Sequence, residues 1–253
     1  TATFSRSVLR LAGIGVLVGG VLLLGLVGWQ WRSSATVERV AVTGTQHAPP
    51  DTLRRLARVD SGTVMADVEP TLVADRVVHH PWIKSATVTS HWMYGTLTVD
   101  VTERTPAALA VDGQGRPAYY LNRAGHALPL PDSTGYDVPL VRGLDTDSPW
   151  TRPDSVQSPP ALRRVLAALP GSGVASLVAE IEVASDGAVQ LVTTPVGQHD
   201  ATSVRLGSND MAPKLQTLHA FARQVLATQP DAPIEEIDLR FDGQIVTQEP
   251  SLD

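Results

Sequence analysis

Polar and apolar positions divide this 253-residue chain into two regimes. From Leu11 to Trp31, 21 consecutive residues carry no charge; beyond them polar and apolar residues interleave to the end. A helix of that length rises about 30 Å at about 1.5 Å per residue, which is the hydrocarbon thickness of a bilayer. The run therefore predicts a membrane-spanning helix over 11–31. Arg6 and Arg10 precede it with no acid nearby, Trp29 and Trp31 sit where an interfacial aromatic belt would, and Arg32 closes it. A short basic flank predicts that residues 1–10 stay in the cytoplasm and that the rest lies outside. The rival reading is a cleaved signal peptide ending near Ser33-Ser34-Ala35, but the apolar run is longer than the about 7–15 residues of such segments. Gly15, Gly19 and Gly20 offer small-residue packing positions along the span.

After the span, the pattern predicts strand, helix, helix, strand, strand between Val37 and Glu103. Val40 and Val42 alternate with polar neighbours before Gly44. Pro49, Pro50 and Asp51 open a helix with Leu53, Leu56 and Ala57 on one face. A second helix begins near Asp67 to Pro70, buries Leu72, Val73 and Val77, and must stop by Pro81, which lacks the amide and clashes with the preceding turn. Two strands follow as a hairpin, Ala86 and Val88 alternating in the first and Leu97, Val99 and Val101 in the second.

The remainder predicts a mainly antiparallel β domain with two helices. Tyr119-Tyr120-Leu121 leads into an Asn122-Arg123-Ala124-Gly125 turn, and Pro139 to Gly143 makes a short segment. Asp145 to Ser158 has the composition of an exposed loop. Ser158 can cap a helix that carries Pro159 in its first turn, buries Leu162, Val165, Leu166 and Leu169, and ends at Gly171. Ile181 and Val183, then Val189 and Leu191, flank Ser185-Asp186-Gly187 as a hairpin. Met211, Leu215, Leu218, Ala222, Val225 and Leu226 share one face of a further helix, with Asp210 near its start and Pro230 beyond its end. Ile237 to Phe241 alternates as a strand, Asp242-Gly243 favours a tight turn, and Gln244 to Gln248 forms the return strand.

Composition narrows the partners. Setting aside Arg6 and Arg10, 18 basic residues face 26 acidic ones, a formal charge of −8 beyond the span, which disfavours nucleic acid. Lys84 and Lys214 are the only lysines, and the absence of cysteine leaves stability to packing alone. With 43% apolar residues the chain can build one or two cores.

Candidate chemistry is sparse. His79, His80 and His91 could be read as metal ligands, but adjacent histidines on a helix point apart and no His-x3-His pair occurs, so no metal is expected. Histidines at a helix end also suit the negative pole of its dipole. No Gly-x-Ser-x-Gly elbow or phosphate-binding glycine loop is present, so neither an enzyme nor a cofactor is expected. Glu103-Arg104 reads as a structural pair at a domain junction, since strand neighbours face opposite sides.

The order of these segments carries a resemblance. A β-α-α-β-β unit directly outside a signal-anchor is similar to a POTRA domain, the polypeptide-transport-associated fold. His80-Pro81-Trp82-Ile83-Lys84-Ser85-Ala86-Thr87-Val88, then Leu97 to Val101 and Glu103-Arg104-Thr105-Pro106-Ala107, resemble the FtsQ/DivIB family of bacterial cell-division proteins. So do Tyr119 to Gly125, Pro139 to Gly143, Val204-Arg205-Leu206-Gly207, Lys214-Leu215 and Ile237 to Phe241. One departure is Met93-Tyr94-Gly95, where the family commonly has a proline between the strands.

The resemblance implies an α+β protein with a cytoplasmic segment 1–10, a transmembrane helix 11–31, a POTRA domain 37–107 and an FtsQ-type β domain 108–253. It also implies a bitopic inner-membrane scaffold, concentrated at the division septum, that recruits or regulates septal peptidoglycan synthesis. In that family the β domain binds FtsB and FtsL and offers the edge of its last strand, while the POTRA domain and span contact other division proteins. By position, Arg240, Phe241, Gly243, Ile245, Val246 and Thr247 are the partner-binding residues so implied. Core packing is the competing role for Ile245 and Val246. The alternative function is a POTRA-bearing component of protein export or outer-membrane assembly; a membrane-tethered hydrolase is a third.

Overall fold

A computed structural model describes residues 2–131, 135–146, 158–196, 200–228, 234–241 and 243–248. The chain separates into two compact units, Thr1–Glu103 and Arg104–Asp253.

The first unit opens with helix α1, Ala2–Ser34, which extends beyond the expected span at both ends. Its stretch Gly13–Gln30 is long and apolar enough to cross a membrane, and Ile14, Leu17, Leu22, Leu24 and Val27 are all more than half exposed. Beyond it come β1 (Arg39–Thr43), α2 (Pro50–Ala57), a 3-10 turn (Met65–Asp67), α3 (Pro70–Val78), β2 (Ile83–His91), a 3-10 turn (Trp92–Tyr94) and β3 (Thr96–Glu103). The sheet order is β1-β3-β2, with β1 parallel and β2 antiparallel to β3. Leu97, Val99 and Val101 of β3 and Leu53, Ala57, Val73 and Val77 of the helices are all buried. Leu72, expected in that core, is 43% exposed. Val73 and Val77 define the inward stripe of α3, and Leu72 stands about 100° away from it around the helix.

Glu103, the last residue of β3, fastens the loop before α2. Its carboxylate accepts the backbone amides of Gln46 (2.9 Å), His47 (3.0 Å) and Ala48 (2.9 Å), and His47 Nδ1 lies 2.8 Å from Oε2. The His47 ring stacks on buried Trp82, with centroids 4.5 Å apart. His80 Nδ1 accepts the Trp82 amide at 3.3 Å. Burial alone would push the Glu103 carboxyl up, but the three amides and the His47 ring outweigh it and hold the group below its ordinary value. Burial pushes His80 down, opposed by the Glu103 charge.

The second unit contains β4 (Pro106–Val111), β5 (Pro117–Asn122), β6 (Ala127–Leu128), β7 (Leu140–Arg142), α4 (Pro160–Ala168), β8 (Val178–Val183), β9 (Val189–Thr193), β10 (Ser203–Gly207), α5 (Met211–Phe221), β11 (Glu236–Asp238) and β12 (Val246–Gln248). The strands form one sheet in the order β12-β11-β10-β9-β8-β7-β4-β5-β6. Five of its pairings are antiparallel, and β4–β7, β7–β8 and β10–β11 are parallel. Parallel neighbours need a crossover. Helices α4 and α5 supply it for β7–β8 and β10–β11. Both helices contribute to one core with the inward residues of the strands, among them Val141, Ile181, Leu191, Val204 and Ile237.

Three local expectations change. Ser158 does not cap α4: its N-cap is Pro159, without a side-chain hydrogen bond, and buried Ser158 Oγ donates to Gly125 O at 2.8 Å. Helix α5 does not continue as an α-helix through Leu226; it widens to a π-turn over Ala222–Leu226, where the Ala227 amide reaches Ala222 O at 3.0 Å. That wider turn buries Ala222 and Leu226 and rotates Val225 to a half-buried position. The last hairpin is not tight. Strand β11 ends at Asp238; the Leu239 amide still reaches Arg205 O at 2.9 Å, and Asp238 Oδ1 accepts the next amide, that of Arg240, at 2.9 Å, a side-chain turn in place of a further ladder bond. Of the expected turn pair, Asp242 lies outside the described residues, as do Pro230 and 147–157 of the expected loop.

Candidate functional site at the last strand

Strand β12 ends the sheet. It pairs antiparallel with β11, matching Glu236 to Gln248, Ile237 to Thr247 and Asp238 to Val246, and all three of its residues are exposed. At the opposite edge, both residues of β6 are buried. An edge strand presents a row of backbone donors and acceptors that a further strand can complete, and a covered edge cannot. Among the described residues of this sheet, β12 is thus the accessible edge.

The six residues implied as partner-binding fall into three settings. Val246 and Thr247 lie in β12, and Ile245 precedes it, with Ile245 38% and Val246 44% exposed. Neither belongs to the core cluster, so core packing does not account for them. Phe241 is 55% exposed and, with Gly243, lines a hollow of about 410 Å³ beside Leu239 and the first turns of α5, where Pro213 and Lys214 stand. The Gln244 amide donates to Phe241 O at 3.3 Å, and Gly243 has φ +70°, so the chain turns back within four residues.

Arg240 faces the other way. Its guanidinium clamps Asp238, with Nε 3.0 Å from each carboxylate oxygen and one terminal nitrogen 2.6 Å from Oδ2. The hydrogen bond from Arg240 holds the Asp238 carboxyl below its ordinary value; partial burial opposes it and the nearby Arg205 charge assists. The same bond holds the Arg240 guanidinium more firmly protonated. Arg240 thereby joins the open face of the sheet, away from α4 and α5. Strand register places Arg142, Glu182, Gln190, Arg205, Asp238 and Val246 in one row across that face, ending at the free edge. A groove of about 380 Å³ runs over it, bordered by Arg142, Glu182, Gln190, Arg205 and Arg240. Arg142 pairs with Glu180 at 2.7 Å and Arg205 with Glu236 at 2.9 Å.

Asp238 and the charged row are not among the residues marked from the sequence. Their signal is there, as polar residues at alternate positions of otherwise apolar strands: Glu180 and Glu182, Gln190, Arg205. What the alternation lacks is the strand order that joins them.

Among the described residues, no group of three or more His, Cys, Asp or Glu side chains is placed to hold a metal ion. His79 Nδ1 lies 2.7 Å from Asp75 O, so the two adjacent histidines are each engaged with their own backbone. The arrangement offers a backbone ladder, flanking apolar side chains and a charged face. These are the parts of a protein-binding edge.

Comparison with known proteins covers both units. Residues 35–104 match the family model described as POTRA domain, FtsQ-type, and residues 105–248 match FtsQ/DivIB, C-terminal related. The chain is 68% identical over 253 residues to the cell division protein FtsQ of Salinibacter ruber (strain DSM 13855 / M31), covering 100% of this chain and 98% of that one. It is 41% identical over 246 residues to the protein of the same name from Rhodothermus marinus (strain ATCC 43812 / DSM 4252 / R-10), covering 96% and 89%. The corresponding Myxococcus fulvus (strain ATCC BAA-855 / HW-1) protein is 31% identical over 243 residues, covering 90% and 78%.

Proposed function

Because this chain belongs to the FtsQ/DivIB family of cell-division proteins, we propose that it is a single-span inner-membrane scaffold of the division apparatus whose last strand pairs with a strand of an FtsB- or FtsL-like partner. The family membership and the apolar α1 fit a single-pass inner-membrane protein. In this reading the N-terminus is cytoplasmic, both compact units lie outside, and the protein concentrates at the septum. It performs no chemistry itself; it gathers the proteins that build septal peptidoglycan and sets their activity.

The observation that carries the proposal is the exposed edge of β12. A partner strand laid along it would complete the ladder, while side chains at alternate positions set specificity. Phe241 and Ile245 are apolar and exposed beside that edge, suited to an apolar anchor on the partner. The groove bordered by Arg205 and Arg240 continues inward from it.

Thr247→Pro tests this, because the β10–β11 pairing turns Glu236 and Asp238 toward Gln248 and Val246, which leaves the Thr247 amide on the free side of β12. Co-purification of the full chain with an FtsB/FtsL-like pair should weaken at least tenfold, about 1.4 kcal/mol, with unchanged circular dichroism. Undiminished co-purification of a folded variant would sink strand pairing at β12. A fluorescent fusion at midcell would support the septal reading, and one spread evenly around the envelope would count against it.

A further inference from the structure

The turn between β2 and β3 is built from residues that a water-exposed hairpin end does not need. Trp92, Met93 and Tyr94 form it, with Met93 79% and Tyr94 74% exposed. Outside α1, the next most exposed large apolar side chain among the described residues is Phe241 at 55%. Met93 and Tyr94 are also where the sequence departs from the proline commonly found there. Nothing in the strand-edge reading uses them.

Their position relative to α1 gives them a role. Arg32 Cζ lies 4.6 Å from the centroid of the Trp92 ring. Arg32 is two residues past Gln30, where the apolar stretch ends, which is about 3 Å of helix rise. The turn is also fastened to the chain that leaves α1: Gly95 O accepts the amides of Glu38 at 2.7 Å and Arg39 at 3.2 Å. A side chain at position 95, where φ is +54°, would come within 2.7 Å of Glu38 Cγ, so this seam is tight. Trp29, 75% exposed on α1, lies one turn back from Arg32. Two segments far apart in sequence thus place tryptophan, tyrosine and methionine at one level, that of the helix's exit from the apolar stretch. Arg32 and Arg39 supply positive charge there.

We propose that the Trp92–Tyr94 turn is a membrane-contact site, in which Met93 and Tyr94 enter the boundary between headgroups and acyl chains of the leaflet at the C-terminal end of α1. Aromatic rings with one polar group favour that boundary, and a thioether adapts to irregular apolar surroundings. Arginines at the same level are attracted to anionic headgroups. The first unit then touches the bilayer at two places, the helix and the turn, and its tilt over the membrane is fixed by both. The proposal rests on α1 lying in a bilayer.

The chain has no cysteine, so single-cysteine variants of the full chain carry one label each. In vesicles of phosphatidylcholine and phosphatidylglycerol, nitroxides at Met93→Cys, Leu22→Cys and Lys84→Cys are compared for collision with oxygen and with a water-soluble nickel chelate. Lys84 is exposed on β2, roughly 23 Å along the strand from His91. The expected result is membrane-like accessibility at Leu22→Cys and Met93→Cys, water-like accessibility at Lys84→Cys, and a shift of the Met93→Cys label toward water when Tyr94→Glu is added. A Met93→Cys label as water-accessible as Lys84→Cys, with Leu22→Cys in the bilayer, would overturn the contact and leave the span intact. A Met93→Cys label shielded from both reagents would replace lipid by a protein contact and overturn it too. A water-exposed Leu22→Cys label would overturn the membrane reading and this one with it.

Discussion

Glu103 shows how much one side chain can hold when it serves several backbone groups at once. It satisfies three consecutive amides and a histidine ring within one loop. Glu103→Ala leaves those amides without their acceptor and should cost about 2–4 kcal/mol in the first unit, and Glu103→Gln, which keeps one oxygen, roughly half of that. Urea unfolding followed by the fluorescence of buried Trp82 reads the loss. The same cluster predicts an acid response in two stages. His80 has a lowered folded pKa, so the unfolded chain takes up its proton first, and stability falls once pH drops below about 6.5. Protonation there also removes the acceptor of the Trp82 amide. Glu103 has a lowered folded pKa as well, so its contribution is present above the ordinary carboxyl range and is lost as pH falls through and below it. His80→Gln should remove the first stage and keep the second. A melting temperature that stays flat from pH 7 to 5 in the parent chain would contradict the assignment to His80.

At the scale of elements, what was legible in the sequence was whatever is local. Proline and glycine punctuation marked α2 and α3 of the first unit, and Ser185-Asp186-Gly187 marked the β8–β9 hairpin, because each depends on a few adjacent residues. Expectations failed where a distant partner or a competing local bond decided the outcome. Ser158 is drawn away from the helix end by Gly125, 33 residues earlier. At Asp238 a side-chain turn replaces the next ladder bond before the apolar alternation runs out. The accessible edge was legible only through the family likeness, since alternation at Ile245 and Val246 reads the same in a core strand and an edge strand. The charged residues were legible one by one, as polar positions alternating with apolar ones, but not as a row, because the row depends on β7 lying between β4 and β8, a pairing of segments far apart in the chain. Gly125 gives a test at this scale. It has φ +82°, and an added Cβ would meet Arg163 Cγ at 2.7 Å and Ser158 Oγ at 3.0 Å. Gly125→Ala should destabilise the second unit by about 1–3 kcal/mol, and a change below about 0.5 kcal/mol in chemical denaturation would show that the turn is not held there.

For the whole molecule, two compact units mean two cores and two sources of stability. Deleting Gly243 to Asp253 removes β12 and should abolish binding of an FtsB/FtsL-like pair while leaving the first unit's unfolding transition within about 1 °C of the parent. Retention of the pair by the truncated chain would place the binding surface elsewhere. The tether supplies the rest of the logic. On the proposed reading, holding the β12 edge within a thin layer above a membrane would raise its effective concentration toward partners held in the same layer, so that a strand contact of modest intrinsic affinity would suffice for assembly.

The sheet of the first unit also has a mechanical consequence. The chain arrives from α1 at the Arg39 end of β1 and leaves at the Glu103 end of β3, and these two strands are parallel neighbours, matched from Arg39 with Thr96 to Thr43 with Asp100. Tension between the anchored helix and the second unit therefore pulls the two strands lengthwise past each other. Their ladder bonds share the load together instead of opening one at a time, and the Glu103 clamp on residues 46–48 adds resistance at the exit. A unit wired this way meets a pull between its two chain ends in shear along the β1–β3 ladder.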